Sequence, residues 1–323
     1  MTHQTTDTAN SEGPRLASVR GISVSYDDRG AGCPVLFVHG HPFDKTMWEP
    51  QVRALAGRGY RTIVPDLRGY GRSTVVPGVT SLDTLARDLA ALLDHLGLDV
   101  VNVVGLSMGG QVALELYRLF PDRVDALALA ATNPLPETES GMARRRAMAA
   151  RLREEGMRGY ADEMLVGMMT AENVRNQPAV ADHVRAMMYA APPEGAAAAQ
   201  LGRATRPDHT LLLRHISAPT LLVVGQHDGF TPPGAPSSCT SASRTRSWRS
   251  SRARATCPTW SGRSASTRSC AAFWSRRGRV PATVDRAVER APDHTEVRST
   301  GSHSSPEARS PSYSTLSSSG PCR

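Results

Sequence analysis

The chain has 323 residues, 40 % of them hydrophobic and 21 % charged, which is enough apolar material for a real core. No run of about 18 apolar residues occurs, so no membrane span is expected. Its net charge of +8 rests on 37 arginines and a single lysine, Lys45, a bias typical of GC-rich coding, and five cysteines without metal-type spacing argue against a disulfide scaffold.

Residues 1–15 are polar and lack a basic-then-apolar leader pattern, so they are expected to be disordered and the chain to stay in the cytoplasm. Leu16–Val19 and Ile22–Tyr26 read as a hairpin that turns at Arg20-Gly21. Val35–Val38 is a short, wholly apolar run, the mark of a strand buried on both faces, and Arg61–Pro65 repeats it. Leu82–Leu98 carries leucines at helical spacing. Val100–Val104 reads as a strand, Gln111–Phe120 as a helix, and Val124–Ala130 and Thr220–Val224 as two further strands. The alternation predicts an α/β fold with a mainly parallel sheet flanked by helices. Residues 16–134 and 207–234 form this core, and 135–206, which hold eight of the eleven methionines, form an inserted helical cap.

Chemistry-bearing residues fall at the strand ends. Gly105-Leu106-Ser107-Met108-Gly109 follows a strand and opens a helix, the setting in which Gly-x-Ser-x-Gly is a nucleophile elbow. Such a turn is strained and lifts the Ser107 hydroxyl clear of the sheet, beside helix N–H groups suited to an oxyanion. His39-Gly40-His41-Pro42 ends an earlier strand, and the His41 and Met108 N–H groups are the candidate oxyanion donors. The imidazoles of His39 and His41 read as structural, with substrate contact left open for His41. Asp66 to Ser73 reads as a glycine-bearing turn held by ion pairs. Asp228, after Thr220–Val224, is the candidate acid, because the rival position at Ala131-Thr132-Asn133 offers no carboxylate. Met164, Met168 and Met188 either line an adaptable acyl pocket or simply pack the cap helices.

These motifs, in this order, resemble the α/β-hydrolase superfamily, in the branch of cofactor-free haloperoxidase-like esterases and enol-lactonases. The resemblance rests on His39–Pro42, Asp66–Ser73, Gly105–Gly110 and Gly225–Pro233. It implies a serine hydrolase of a small ester or lactone with no metal or organic cofactor, and peroxide-dependent halogenation as a side activity. Serine at 107 separates the chain from the dehalogenase and epoxide-hydrolase branches, which use aspartate. The family pattern also requires a histidine some 25 to 30 residues after the acid, in a Gly-His-x-x-x-x-Glu-x-Pro type motif. This chain has no histidine between Asp228 and His294.

Residues 235–323 differ in kind. They carry 15 arginines against 5 acids, 22 serines, four of the five cysteines and three of the four tryptophans. Leu, Ile, Val and Phe make up 6 of these 89 residues, far below the roughly 20 % of an ordered domain. Three readings compete: a disordered Ser/Arg tail binding nucleic acid, a linker, and a segment translated out of frame. Its concentration of Trp and Cys speaks against nucleic acid. Shifted by one base, Ala253 to Arg263 allow Gly-Ala-Gly-His-Met-Pro-Asn-Leu-Glu-Arg-Pro, with the histidine at position 256, and Ala271–Ser275 allow Arg-Arg-Phe-Leu-Glu. A change of reading frame between about Pro233 and Arg252 would account for this. The chain as written is then expected to lack the last strand, the last helix and the triad histidine. It would expose a sheet edge, dissolve poorly and be nearly inactive. A hydrolase-like body that is not catalytic and binds nucleic acid or proteins through its tail is the competing function. The sequence does not fix the oligomeric state.

Overall fold

A computed structural model describes residues 15–225 and 228–230, and the backbone alone of 251–253. An eight-stranded sheet runs in the order β1-β2-β4-β3-β5-β6-β7-β8. The strands are β1 (Arg15–Val19), β2 (Ile22–Gly30), β3 (Cys33–Val38), β4 (Tyr60–Pro65), β5 (Val101–Leu106), β6 (Val124–Ala130), β7 (Thr220–Gly225) and β8 (Ser251–Ala253). β1 and β2, and β2 and β4, pair antiparallel, and every later pair is parallel. Arg20 (φ 47°) and Gly21 (φ 75°) close the first hairpin. Two positive φ values suit a tight two-residue turn that matches strand twist.

Side chains along each central strand alternate between two cores. In β3, Leu36 and Val38 face one core while Val35 and Phe37 face the other. In β6, Leu127 and Leu129 join the first and Ala126, Ala128 and Ala130 the second. This period of two explains why the strands read as continuous apolar runs: both faces are covered. The first core is covered by α2 (Leu82–His95) and α3 (Met108–Leu119), the second by α1 (Glu49–Leu55) and by the chain beyond β6. In α2, Ser81 accepts from the Thr84 N–H at 3.1 Å and so caps the N-terminus.

The stretch between β6 and β7 is helical: α4 (Glu139–Glu155), α5 (Arg158–Met168), α6 (Ala171–Asn176), α7 (Pro178–Ala190) and α8 (Pro193–Ala204). α4 and α8 pack through small residues, with Ala149, Ala196 and Ala197 fully buried. The short helix α1, opened by Pro50, is not evident in the sequence pattern; its apolar positions span too few turns to show a period.

One expectation is corrected. The edge of β7 is not bare: Val223, Val224 and Gly225 pair with Ser251, Arg252 and Ala253 of β8. A ladder needs only extended backbone with free N–H and C=O groups, so an unusual side-chain sequence does not prevent it. Residues 271–275, where the re-read frame resembles a closing helix that the chain as written is expected to lack, lie outside the described residues, as do the segments 1–14 and 254–323.

The chain's only lysine is structural. Buried Lys45 donates through Nζ to Ser25 Oγ (2.7 Å) and Asp66 Oδ2 (3.1 Å), and its backbone N–H donates to Asp66 Oδ1 (2.9 Å). Asp66 also accepts from the Arg72 N–H, and Ser73 Oγ donates to the Asp66 carbonyl. The 66–73 turn is thus pinned to β2 and to the loop after β3. Removing one partner of a buried pair strands the other charge, at a cost of about 3 kcal/mol or more. Lys45→Met is expected to lower the unfolding free energy by about that much in a urea titration. A loss below about 1 kcal/mol would show that the pair does not hold the turn.

Candidate functional site

The site begins with a backbone constraint. Ser107 sits between β5 and α3 at φ 52°, ψ −111°, a conformation costly for any residue with a Cβ. Four hydrogen bonds hold it there. Its N–H donates to Ala130 O (2.8 Å), and its carbonyl accepts from Gly110 N, Gln111 N and Thr132 Oγ1 at 2.8 to 3.1 Å. The flanking glycines are there for space. A Cβ on Gly105 would collide with the Gly109 carbonyl, and one on Gly109 with the carbonyl oxygens of Val38 and His39. α3 therefore starts against the backbone that leaves β3, which brings the Ser107 elbow beside the His39–Pro42 loop.

The side chain of Ser107 faces a cavity of about 320 Å³. Its wall also includes His41, Gln111, Thr132, Asn133, Tyr160, Gln200, Arg203, Met148, Met164, Met168 and Phe230. Met164 and Met168 thus lie on the cavity. Met188 does not: it is fully buried in the second core, and Met148 of α4 takes a cavity position. Met188 follows Met187 on an α7 face packed inward, and three methionines of similar spacing cannot be told apart by sequence.

His39 is wholly buried and bonded at both ring nitrogens, through Nδ1 to the Gly40 carbonyl (2.9 Å) and as acceptor at Nε2 from the Leu67 N–H (2.9 Å). It ties the loop after β3 to the turn after β4. His41 is held by a chain of side chains. Arg145 Nη1 donates to Gln200 Oε1 (2.7 Å), which turns the Gln200 amide nitrogen toward His41 Nε2 (3.0 Å). Nε2 therefore accepts, and Nδ1 carries the proton and donates to Tyr70 Oη (2.6 Å). Both ring nitrogens are engaged, so His41 is a cavity wall and not a free base. No described acceptor is bonded to the His41 or Met108 N–H.

Asp228 is buried just past β7. Its Oδ1 accepts the Phe230 N–H at 2.8 Å, which bends the chain so that Phe230 reaches the cavity. β6 lies between β5 and β7, so two strand spacings, about 10 Å, separate the backbones of the serine and the aspartate. A gap of that size admits one bridging imidazole. Among the described residues no histidine other than His41 lines the cavity, and position 256, where the re-read frame would place one, lies outside them, three residues past the end of β8.

The cationic side of the cavity is not anticipated by the sequence reading. Arg144, Arg145 and Arg203 line it, with Glu137 as the lining carboxylate. Glu137 is paired with Arg145 (2.5 Å) and with Arg206. Burial works against its ionisation, but the two arginines outweigh burial and hold its carboxyl below the ordinary value. A signal does exist in α8: Gln200 and Arg203 are the long polar side chains of an Ala- and Gly-rich segment, three apart and so on one face. Among the described residues no group of three or more His, Cys, Asp or Glu side chains is placed to hold a metal ion, and no helix is long and apolar enough to cross a membrane.

Burial lowers the affinity of both loop imidazoles for protons. For His41 the nearby Arg203 and Arg145 lower it further, well below 6.5, while for His39 the Gly40 carbonyl partly opposes burial. Below about pH 6.5 the unfolded chain therefore binds protons that the folded chain refuses, so stability must fall as pH falls. Each histidine contributes at most about 1.4 kcal/mol per pH unit. Urea titrations between pH 7 and pH 5 are expected to show this slope, and His41→Gln to flatten it. An unchanged slope in that variant would mean that His41 protonates in the folded protein.

Comparison with known proteins agrees with this fold. The alpha/beta hydrolase fold family matches residues 34–254, more than half of the chain. A non-heme haloperoxidase from Rhodococcus erythropolis is 41 % identical over 130 residues, covering 39 % of this chain and 47 % of that protein. The chain thus matches under half the length of that relative. Among solved structures, a thermophilic esterase from Thermogutta terrifontis, with malate bound, is 36 % identical with a TM-score of 0.74, covering 85 % of this chain and 99 % of that one. The enol-lactonase from Burkholderia xenovorans LB400 is 25 % identical with a TM-score of 0.70, covering 82 % and 99 %. With a mainly parallel sheet, a strained serine between β5 and α3, an aspartate after β7 and a family match over residues 34–254, the chain belongs to the alpha/beta hydrolase fold family.

Proposed function

We propose that this protein descends from a cytoplasmic serine hydrolase of a small carboxylic ester or lactone, with Ser107 as nucleophile. The observation that carries this reading is the left-handed backbone of Ser107 at the floor of a cavity. Ser107 Oγ attacks the carbonyl carbon while a base takes its proton. The alcohol leaves with that proton, and water then attacks the acyl-enzyme by the same route. Asp228 orients and stabilises the imidazolium, and the His41 and Met108 N–H groups hold the oxyanion. Met164 and Met168 supply the deformable apolar part of the acyl pocket. The similarity to a non-heme haloperoxidase and to an esterase supports the hydrolase reading.

The base is the missing part. In the shifted frame it is a histidine at position 256; as written the position is Thr256. In a well-studied serine protease, loss of that base alone costs on the order of 10⁶ in turnover. The chain as written is therefore expected to hydrolyse a short-chain aryl ester at nearly the uncatalysed rate. A gene restored to the other frame should hydrolyse it readily, and Ser107→Ala in the restored protein should abolish turnover. Activity in the restored protein that survives Ser107→Ala would sink this reading. Resequencing the gene decides whether the shift is real. The competing role, a tail that binds nucleic acid, requires affinity for DNA that weakens steeply with salt.

A further inference from the structure

We propose that the cavity is built for a substrate that carries a free carboxylate, held by Arg203. The argument rests on charge pairing. Arg203 lies on α8 with its side chain in the wall of the Ser107 cavity. Its Nε donates weakly to Gln111 Oε1 (3.4 Å), and among the described residues no carboxylate pairs with its guanidinium. Arg145 and Arg206 are already served by Glu137, Arg145 also donates to Gln200, and Arg144, which lines the cavity too, is exposed to water. Arg203 is therefore the inward positive charge left without a carboxylate among the described residues, with the terminal nitrogens of its fork unspent.

Such a charge is costly away from water unless something pairs with it. Burial, together with the fields of Arg145 and Arg206, pulls the Arg203 proton affinity down to about 9, while Tyr70 and Tyr160 act the other way. Folded proteins rarely leave a guanidinium in that position without a use. The fork matches a carboxylate in a two-point contact. Glu137 is already taken up by Arg145 and Arg206, so the one unpaired fork of Arg203 matches a single carboxylate, and a phosphate is an outcome of the test. The substrate class is then a half-ester, or a lactone bearing one carboxylate, with the scissile carbonyl over Ser107 and the acid toward α8. For its hydrolytic half this proposal rests on the proposed function; the carboxylate site itself does not.

Binding separates the two. Monomethyl glutarate, a monoanion at pH 7, and neutral dimethyl glutarate are titrated into the full chain by calorimetry. The monoester is expected to bind at least tenfold more tightly. Arg203→Gln should remove that preference and leave the diester unaffected, and Arg203→Lys should keep part of it. Arg146→Gln, which removes the same charge from the exposed face of α4, should leave it intact. Each variant is first checked for an unchanged urea midpoint. Equal binding of the two esters, a preference that survives Arg203→Gln, or tighter binding of inorganic phosphate than of the monoester would each overturn the proposal. If Arg203-dependent binding holds while the restored-frame protein hydrolyses neither ester, the hydrolase reading fails alone. If hydrolysis proceeds with no preference for the monoester, the carboxylate site fails alone.

Discussion

Everything in this molecule that bears on chemistry depends on how closely α3 approaches the carboxyl end of β3. Gly109 lies against the carbonyls of Val38 and His39, and Gly105 lies against the first turn of the same helix. A larger residue at either point would push α3 outward. That contact leaves Ser107 no room for an ordinary turn and holds it at a positive φ. The strain, of order 1–3 kcal/mol for such a conformation, is met by the four hydrogen bonds on its backbone and by two apolar cores that cover both faces of β5. The nucleophile's direction is thus a property of backbone packing, set before any side chain of a catalytic set is considered.

The loops around the elbow are fixed by a second, polar layer. His39 ties the loop after β3 to the turn after β4, and Lys45 ties the same turn to β2. His41 continues the layer upward through Gln200 and Arg145 into the helices that cover the cavity. A single run of hydrogen bonds thus joins the sheet to α4 and α8. Because the amide of Gln200 must face both an arginine and an imidazole, only one tautomer of His41 fits. The cationic wall and the neutral histidine belong to one arrangement: burial first, and then the arginines gathered near the serine, keep protons off the imidazole beside them.

Legibility in the sequence followed the range of the interactions involved. Short apolar runs such as Val35–Val38 announce strands buried on both faces, and the Arg20-Gly21 hairpin and the Gly105–Gly109 elbow are local backbone motifs. Each depends on neighbours in the chain, so each can be read from it. Met188 and Arg203 could not be placed in the same way. Whether a methionine of α7 meets the cavity or the core depends on how helices pack against each other, and whether an arginine lacks a carboxylate depends on residues more than sixty positions away, such as Glu137. β8 was missed for the opposite reason: its pairing with β7 uses main-chain groups only, which leave no trace in composition.

The break in composition near residue 235 divides the catalytic set along a physical line. Both apolar cores are made of residues between Ala17 and Val223, so neither takes a described side chain from beyond that break. The elbow, the proposed oxyanion N–H groups and the proposed acid at 228 also precede it. In the proposed mechanism the later segment contributes one imidazole in a gap of two strand spacings between Ser107 and Asp228, about 10 Å wide. β8 already brings the chain alongside β7 at Val223–Gly225, so the backbone passes the right edge of the sheet three residues before position 256. A shift of frame in this region would therefore remove the proton acceptor and leave the residues that build the elbow untouched. In the proposed mechanism, presentation of the nucleophile and its activation are encoded in separate stretches of this chain, and only the second depends on side chains past the break.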